Sequence, residues 1–350
     1  MVSAPAEQGP ASTVLEGPSE LAGPPSSLPL TVGSAGDGVV DLQRRLERLG
    51  FSCAEDDTGT FASRTRSAVL AFQRERGLRT DGVCGRYTWA ALVEAGFRLG
   101  DRLLYRRAPM LRGDDVAELQ KRLSVLGFDP GGVDGIFGDQ TVEALADFQR
   151  NVGLLPDGIC GPSTLGELAR LQLRPGGADL VSLVRERLSV GSSPRTLVGR
   201  RIAVGETGGF AVGVHALCRA LSAAGALPIP LHLPDPEEQA VAANVAAVDC
   251  YVGLRLEPEQ AWARSFFYRG YRYESVVSRR LAELVQARLV TALELADGGT
   301  EGMALPELRG TQMPAVIIEL GSPKQVVMRT VELSAAVVDA LSIWLTLDWD

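Results

Sequence analysis

Apolar positions along this chain follow two rhythms. Up to about residue 171 they recur every three or four residues, the spacing of an amphipathic helix. Beyond about residue 200 they gather into short β-rich runs separated by helical stretches. The first rhythm is clearest between Asp114 and Pro162. Val116, Leu119, Leu123 and Leu126 fall on one helical face, with Asp114 placed as a cap and Gly127 as a stop. Asp139 precedes a second helix whose Val142, Leu145, Phe148 and Val152 share a side. Gly161-Pro162 opens a third, with proline in the first turn, where its missing N–H costs nothing. Asp134-Gly135 and Asp157-Gly158 are the turns between them.

The same pattern runs once before. Leu42-Gln43 returns as Leu119-Gln120, and Leu49-Gly50-Phe51 as Leu126-Gly127-Phe128, 77 residues later. Phe72-Gln73-Arg74 returns as Phe148-Gln149-Arg150, and Asp81-Gly82-Val83-Cys84-Gly85 as Asp157-Gly158-Ile159-Cys160-Gly161, 76 residues later. So ordered a series defines a tandem repeat of three-helix modules. Phe72 and Phe148 are expected in the two cores, and Cys84 and Cys160 as buried, unbridged small residues. The first copy departs in its middle, where Asp56-Asp57-Thr58-Gly59-Thr60-Phe61 stands for the Val133-Asp134-Gly135 turn.

In the second half, strands are predicted over 201–205, 227–233, 249–256, 265–273 and 315–321. Helices are predicted over 212–224, 236–245, 276–293 and 331–345. The fold class is therefore multidomain: two all-α three-helix modules, then one α/β domain with a largely parallel sheet covered on both faces. The boundaries read as a disordered tail over 1–36, rich in Pro, Ser, Gly and Ala, modules over 37–98 and 110–171, and a linker over 172–199 with a short helix at 179–189. The α/β domain takes 200–350.

A net charge of −8 removes nucleic acid from the expected partners, because phosphate neutralisation needs clustered Lys and Arg. Arg44-Arg45 and Arg106-Arg107 read as solvated helix faces. No run approaches the ~20 apolar residues that span a bilayer. Residues 1–43 hold no Lys or Arg and no unbroken apolar run, so no secretory signal is legible. Five cysteines without CxxC or CxxH spacing fit buried thiols in a reducing compartment. The expected location is the cytoplasm.

The repeats resemble the peptidoglycan-binding domain family. The second copy carries the resemblance through Gly113-Asp114-Asp115-Val116, Leu126-Gly127-Phe128, Val133-Asp134-Gly135-Ile136-Phe137-Gly138, Thr141, Phe148-Gln149 and Asp157-Gly158-Ile159-Cys160-Gly161-Pro162. The resemblance implies recognition of cell-wall fragments, with the Asp-Gly turns as ligand-binding candidates: Asp134 and Gly135, Asp157 and Gly158, and in the first copy Asp81 and Gly82. The α/β half resembles the zinc-dependent N-acetylmuramoyl-L-alanine amidases of the third amidase family. In that family a Gly-His-Gly-Gly segment follows the first strand; here Ile202-Ala203-Val204 leads into Gly205-Glu206-Thr207-Gly208-Gly209, so Thr207 stands at the first histidine. The segment bearing the second ligand, a glutamate, is missing. A third ligand in a strand ending Ser-x-His maps onto Gly253-Leu254-Arg255, giving Arg255. The catalytic glutamate after a Pro-Ala-hydrophobic strand survives as Glu319 in Pro314-Ala315-Val316-Ile317-Ile318-Glu319. The domain order also resembles the mycobacterial CwlM-type pseudo-amidases, cytoplasmic regulators of precursor synthesis.

Such an amidase needs Zn²⁺ on about three protein ligands, with a position left open for the attacking water. Threonine is a poor neutral ligand, and arginine is a fixed cation that repels the metal. Glu319, without a metal-bound water to activate, is vestigial, and its expected partner is Arg255 or Arg309. Zinc is expected to be lost, with no other cofactor and no metal site. His215 and His232, the only histidines, sit at no family ligand position; a replacement site from His232, Cys218 and an acid is the rival. The turn at Gly205–Gly209 reads as a retained family turn, or alternatively as a backbone nest for an anion. The aromatic stretch over 265–273 reads as core packing, with a protein-binding face as its alternative. The expected function is a non-catalytic pseudo-amidase that binds peptidoglycan fragments or a lipid-linked precursor and regulates a cell-wall biosynthetic enzyme. The alternative is an active amidase with a noncanonical zinc site.

Overall fold

The structure, a computed structural model, describes residues 25, 27–171, 195–271 and 273–349. The helix expected over 179–189 and most of the expected tail lie outside them. Each module is built from three helices: α1 (Asp37–Arg48), α2 (Ser63–Glu75) and α3 (Arg86–Ala95) in the first, and α4 (Asp114–Val125), α5 (Asp139–Asn151) and α6 (Pro162–Leu171) in the second. The two phenylalanines at equivalent positions anchor the cores: Phe72 and Phe148 are fully buried, each edge-on to a second ring, Phe51 or Phe128. Cys84 and Cys160 are buried and free, as expected. Gly127 stops its helix at a φ of 93° that a side chain disfavours.

Both modules begin earlier than the helical periodicity suggests. Leu30, placed in the expected tail, is buried and exchanges two backbone hydrogen bonds with Cys84, at 3.0 and 2.9 Å. Leu104, left outside either module, does the same with Cys160, at 3.4 and 2.8 Å. A single bridging residue has no period, so only the paired backbone reveals it. The 1–36 tail is corrected accordingly: from Leu28 onward the chain belongs to the first module.

The α/β domain holds β1 (Arg201–Glu206), α7 (Ala211–Ala223), β2 (Leu227–His232), α8 (Pro236–Val245), β3 (Cys250–Leu256), β4 (Trp262–Tyr268), α9 (Val276–Leu293), β5 (Ala296–Met303), α10 (Pro306–Gly310), β6 (Ala315–Leu320), α11 (Pro323–Met328) and α12 (Thr330–Thr346). The sheet runs β2-β1-β3-β6-β4-β5, parallel throughout except where β4 meets β6. Side chains alternate between two cores, as a doubly covered sheet requires. Val204, Val252 and Ile318 face α7, α9 and α12, while Ala203, Tyr251 and Ile317 face α8 and α10. Leu197 is buried in the first of these cores, so the domain starts inside the expected linker. Strand β5 was not predicted, because Ala-Asp-Gly-Gly-Thr-Glu-Gly-Met has no strand pattern. It forms as an edge strand on β4, where Gln286 bonds both Ala263 O and Asp297 Oδ1. Strand β4 ends at Tyr268, five residues short of the predicted span.

The modules meet the α/β domain through paired groups. Ala304 N–H donates to Gly77 O at 2.7 Å, and Gly77 is required there: a Cβ would stand 2.6 Å from Arg269 O. Arg309 bonds Glu94 Oε2 at 2.7 Å and Asp134 O at 2.9 Å, joining three units at once. Arg76 of the first module pairs with Asp114 of the second at 2.7 Å.

Candidate functional site

In open sheets of parallel strands, sites form beyond the carboxyl ends of the strands. Three sequence candidates meet that expectation. Thr207 directly follows β1, Arg255 lies near the end of β3, and Glu319 lies directly across from Arg255 on β6. Glu319 is 4 % exposed. Its Oε1 accepts from Arg79 Nη2 at 2.6 Å and lies 3.8 Å from Arg255 Nη1. Arg79 belongs to the loop after α2 in the first module, so a residue of a different domain closes the site; it also stands 3.7 Å from Glu257. Of the two expected partners of Glu319, Arg255 is present and Arg309 is not: Arg309 is committed to Glu94 and Asp134. Arg79 was invisible to sequence reasoning because nothing local links it to β6.

Arg255 leans on Glu307 of α10 with a direct ion pair. Glu307 is 1 % exposed, and its second oxygen, Oε2, has no hydrogen-bond partner. Burial raises the Glu319 carboxyl above its ordinary range, and the guanidinium groups of Arg79 and Arg255 offset this only in part. Two arginine side chains lie within 4 Å of one oxygen of Glu319, and each is also paired with a further carboxylate, Arg79 with Glu257 and Arg255 with Glu307, so charges alternate across the site. Among the described residues no three His, Cys, Asp or Glu side chains gather as a metal ion requires. Around Glu319 the neighbours are guanidinium groups and carboxylates already paired with them, which is not the donor set of a zinc ion.

The turn after β1 carries its own anion. The carboxylate of Glu206, buried at the end of the strand, accepts from Gly208 N–H at 2.7 Å and from Phe210 N–H at 3.2 Å. Those are the groups that an external anion would need, so the nest reading is corrected: the site is filled from within. Burial pulls Glu206 upward, but the Phe210 and Gly208 N–H groups and His232 outweigh it and hold the carboxyl below its usual value. Thr207 is half-buried beside it. Gly205 is needed because a Cβ there would fall 2.0 Å from Gln239 Oε1, which accepts from Tyr251 O–H at 2.7 Å. The two histidines, separate in sequence, stack at 5.4 Å, with His232 Nδ1 3.3 Å from Glu206 Oε1. A carboxylate therefore stands beside them. Cys218 packs instead against the main core, which removes it from the His232 set.

The Asp-Gly turns prove to be one device used repeatedly. Gln149 Nε2 donates to Asp157 Oδ1, Ile159 O and Thr164 Oγ1, while its Oε1 accepts from Gly158 N–H. Gln73 does the same for Asp81, Val83, Thr88 and Gly82, and Gln120 for Asp134, Ile136, Thr141 and Gly135. In the divergent turn Gln43 brackets Gly59 and Thr65, so Gly59 is the counterpart of Gly135. Each module thus contains the motif twice, a symmetry that the sequence partly hides. The turns differ in their surroundings. Asp157 and Asp81 are exposed, whereas burial beneath the α/β domain pushes the Asp134 carboxyl upward.

Comparison with known proteins agrees with this division. Residues 35–92 and 112–168 each match the family described as the putative peptidoglycan binding domain. The chain is 36 % identical over 332 residues to the N-acetylmuramoyl-L-alanine amidase CwlM of Mycobacterium tuberculosis, covering 83 % of this chain and 81 % of the relative. It is 32 % identical over 162 residues to a probable N-acetylmuramoyl-L-alanine amidase of Bacillus licheniformis, covering 42 % of this chain and 46 % of that protein. Among solved structures, the N-acetylmuramyl-L-alanine amidase Ami1 of Mycobacterium smegmatis aligns over 43 % of this chain and 98 % of its own, with 13 % identity and a TM-score of 0.35.

Proposed function

Because the chain belongs to the family of the N-acetylmuramoyl-L-alanine amidase CwlM, we propose that it recognises peptidoglycan fragments or a lipid-linked precursor without hydrolysing them. Its α/β domain serves as a pseudo-amidase that passes the state of the bound ligand to a cell-wall biosynthetic enzyme in the cytoplasm. The two peptidoglycan-binding domains supply recognition. The observation that carries the reading is the neighbourhood of Glu319. A general base in a metal-assisted amidase must face a metal-bound water. Here its oxygen faces Arg79 and Arg255 instead, and the first module covers it. Both guanidinium groups are held by further carboxylates, Arg79 by Glu257 and Arg255 by Glu307, so the acceptor oxygen of Glu319 is engaged by fixed donors and not by a metal-bound water.

A second reading, hydrolysis through a noncanonical metal site, draws on the His215–His232 stack beside Glu206. One experiment separates them. Full-length protein is incubated with purified muropeptides, with added zinc and with chelator, and the products are read by mass spectrometry alongside metal analysis. The expected result is intact muropeptide and no stoichiometric zinc. Chelator-sensitive release of the stem peptide from the muramoyl group sinks the pseudo-amidase reading and restores the hydrolase.

A further inference from the structure

Between the three units lies a cavity of about 770 Å³, within the ~300–1,000 Å³ typical of small-molecule sites. Its walls come from α3 and Arg76 of the first module, the Asp134-Gly135 turn of the second, and α8, α10 and Tyr271 of the α/β domain. Neither Glu319 nor Arg79 lines it, so it is separate from the closed amidase-type site.

The chemistry of the wall is mixed in a specific way. Arg76, its side chain only 10 % exposed, is fixed by Asp114 and lies 4.2 Å over the Tyr271 ring. Arg112 stands 3.8 Å from Glu237, next to Glu238. Tyr87 and the half-exposed Tyr271 present rings. A purely apolar ligand leaves these charges stripped of water, and a bare anion meets Glu237 and Glu238. A sugar carrying a peptide satisfies both sets: its C–H faces pack on tyrosine rings, while its carboxylate and ammonium groups meet arginine and glutamate. The ion pairs that join the units hold this wall in place before any ligand arrives, which lowers the cost of binding.

We propose that this seam cavity is the binding site for the muropeptide, so that one ligand touches both modules and the α/β domain together. The inference rests on the peptidoglycan-recognition reading and narrows it. Of the three Asp-Gly turns, only Asp134-Gly135 lies in the wall; Asp81-Gly82 and Asp157-Gly158 do not. A ligand that spans the seam also ties the module–domain arrangement to occupancy, which gives the α/β domain a state to report.

The test is calorimetric titration of full-length protein with a disaccharide-tetrapeptide and, separately, with detergent-solubilised lipid-linked precursor. Two variants alter the cavity by different means. Tyr271→Ala removes a ring, and Val241→Trp, at a wall position 58 % exposed, narrows the space without deleting a contact. Leu155→Ser, 76 % exposed beside the Asp157-Gly158 turn, probes the competing face. Both cavity variants are expected to weaken binding roughly tenfold or more, with Leu155→Ser close to wild type; whichever of the two probes shows this pattern identifies the source of the sugar-peptide. If wild type binds and the cavity variants bind equally well, or if Leu155→Ser alone loses affinity, the seam site is wrong and peptidoglycan recognition stands. If wild type binds neither probe, the recognition reading itself falls.

Discussion

Replacing Arg79 by alanine probes the closed site from the partner domain. Arg79 Nη2 lies 2.6 Å from Glu319 Oε1, and the Glu319 side chain is 5 % exposed. Stranding one member of a buried ion pair costs about 3–5 kcal/mol, whereas an exposed pair is worth about 0–1 kcal/mol. This pair falls between those limits. The Arg79 side chain is 56 % exposed, and Arg255 keeps a second guanidinium 3.8 Å from the same oxygen. The expected loss at neutral pH is therefore about 1–3 kcal/mol after allowance for solvent screening. Its pH dependence has a definite sign. Burial raises the folded carboxyl of Glu319 above its unfolded value despite Arg79 and Arg255. The folded state then binds more protons, and stability falls as pH rises through the raised value. Without Arg79 the carboxyl rises further, so the deficit of the variant grows from acidic pH toward neutrality. The assay is urea unfolding of the full chain from pH 5 to 8, followed by tryptophan fluorescence, for Arg79→Ala, Glu319→Gln and the double variant. With a neutral glutamine at 319, the cost of Arg79→Ala should shrink to a few tenths of a kcal/mol, as for a surface truncation. Equal costs in both backgrounds, flat with pH, refute the idea that this ion pair holds the module on the site.

Two further outcomes follow from the same contacts. Glu206→Gln weakens charge-assisted bonds to Gly208 and Phe210 N–H, and should cost about 1.5–3 kcal/mol near pH 7. Because the folded carboxyl of Glu206 is depressed, that stability is present above the ordinary carboxylate range and disappears as pH falls through the folded value. The gap between thermal melts of variant and wild type should therefore narrow as pH falls below the ordinary carboxylate range; a gap that is the same at neutral and at strongly acidic pH contradicts the assignment. Gln149→Leu orphans the buried Gly158 N–H and removes the donor to Thr164 Oγ1, whose hydroxyl keeps its bond to Ile159 O, at about 1–3 kcal/mol for the buried N–H left unpaired. Hydrogen exchange should quicken over 153–165 and stay unchanged over 77–89; equal change in both modules argues against independent brackets.

What the sequence determined by itself is what local physics controls. The 3.6-residue spacing of Leu119, Leu123, Leu145 and Phe148 dictates helices, because each helix buries the face that its own periodicity creates. The repeat offset made the first module legible from the second, and Pro314–Glu319 placed a glutamate at the end of a buried strand. Contacts without local signature were not legible. Strand β5 is polar and glycine-rich, and exists because β4 offers it an edge. Leu30 and Leu104 join their modules through single backbone bridges. Above all, Arg79 meets Glu319 across 240 residues. Only the docking of one folded unit on another brings those two charges together, and that docking, set by shape and ion pairing over a whole surface, decides that the glutamate faces an arginine.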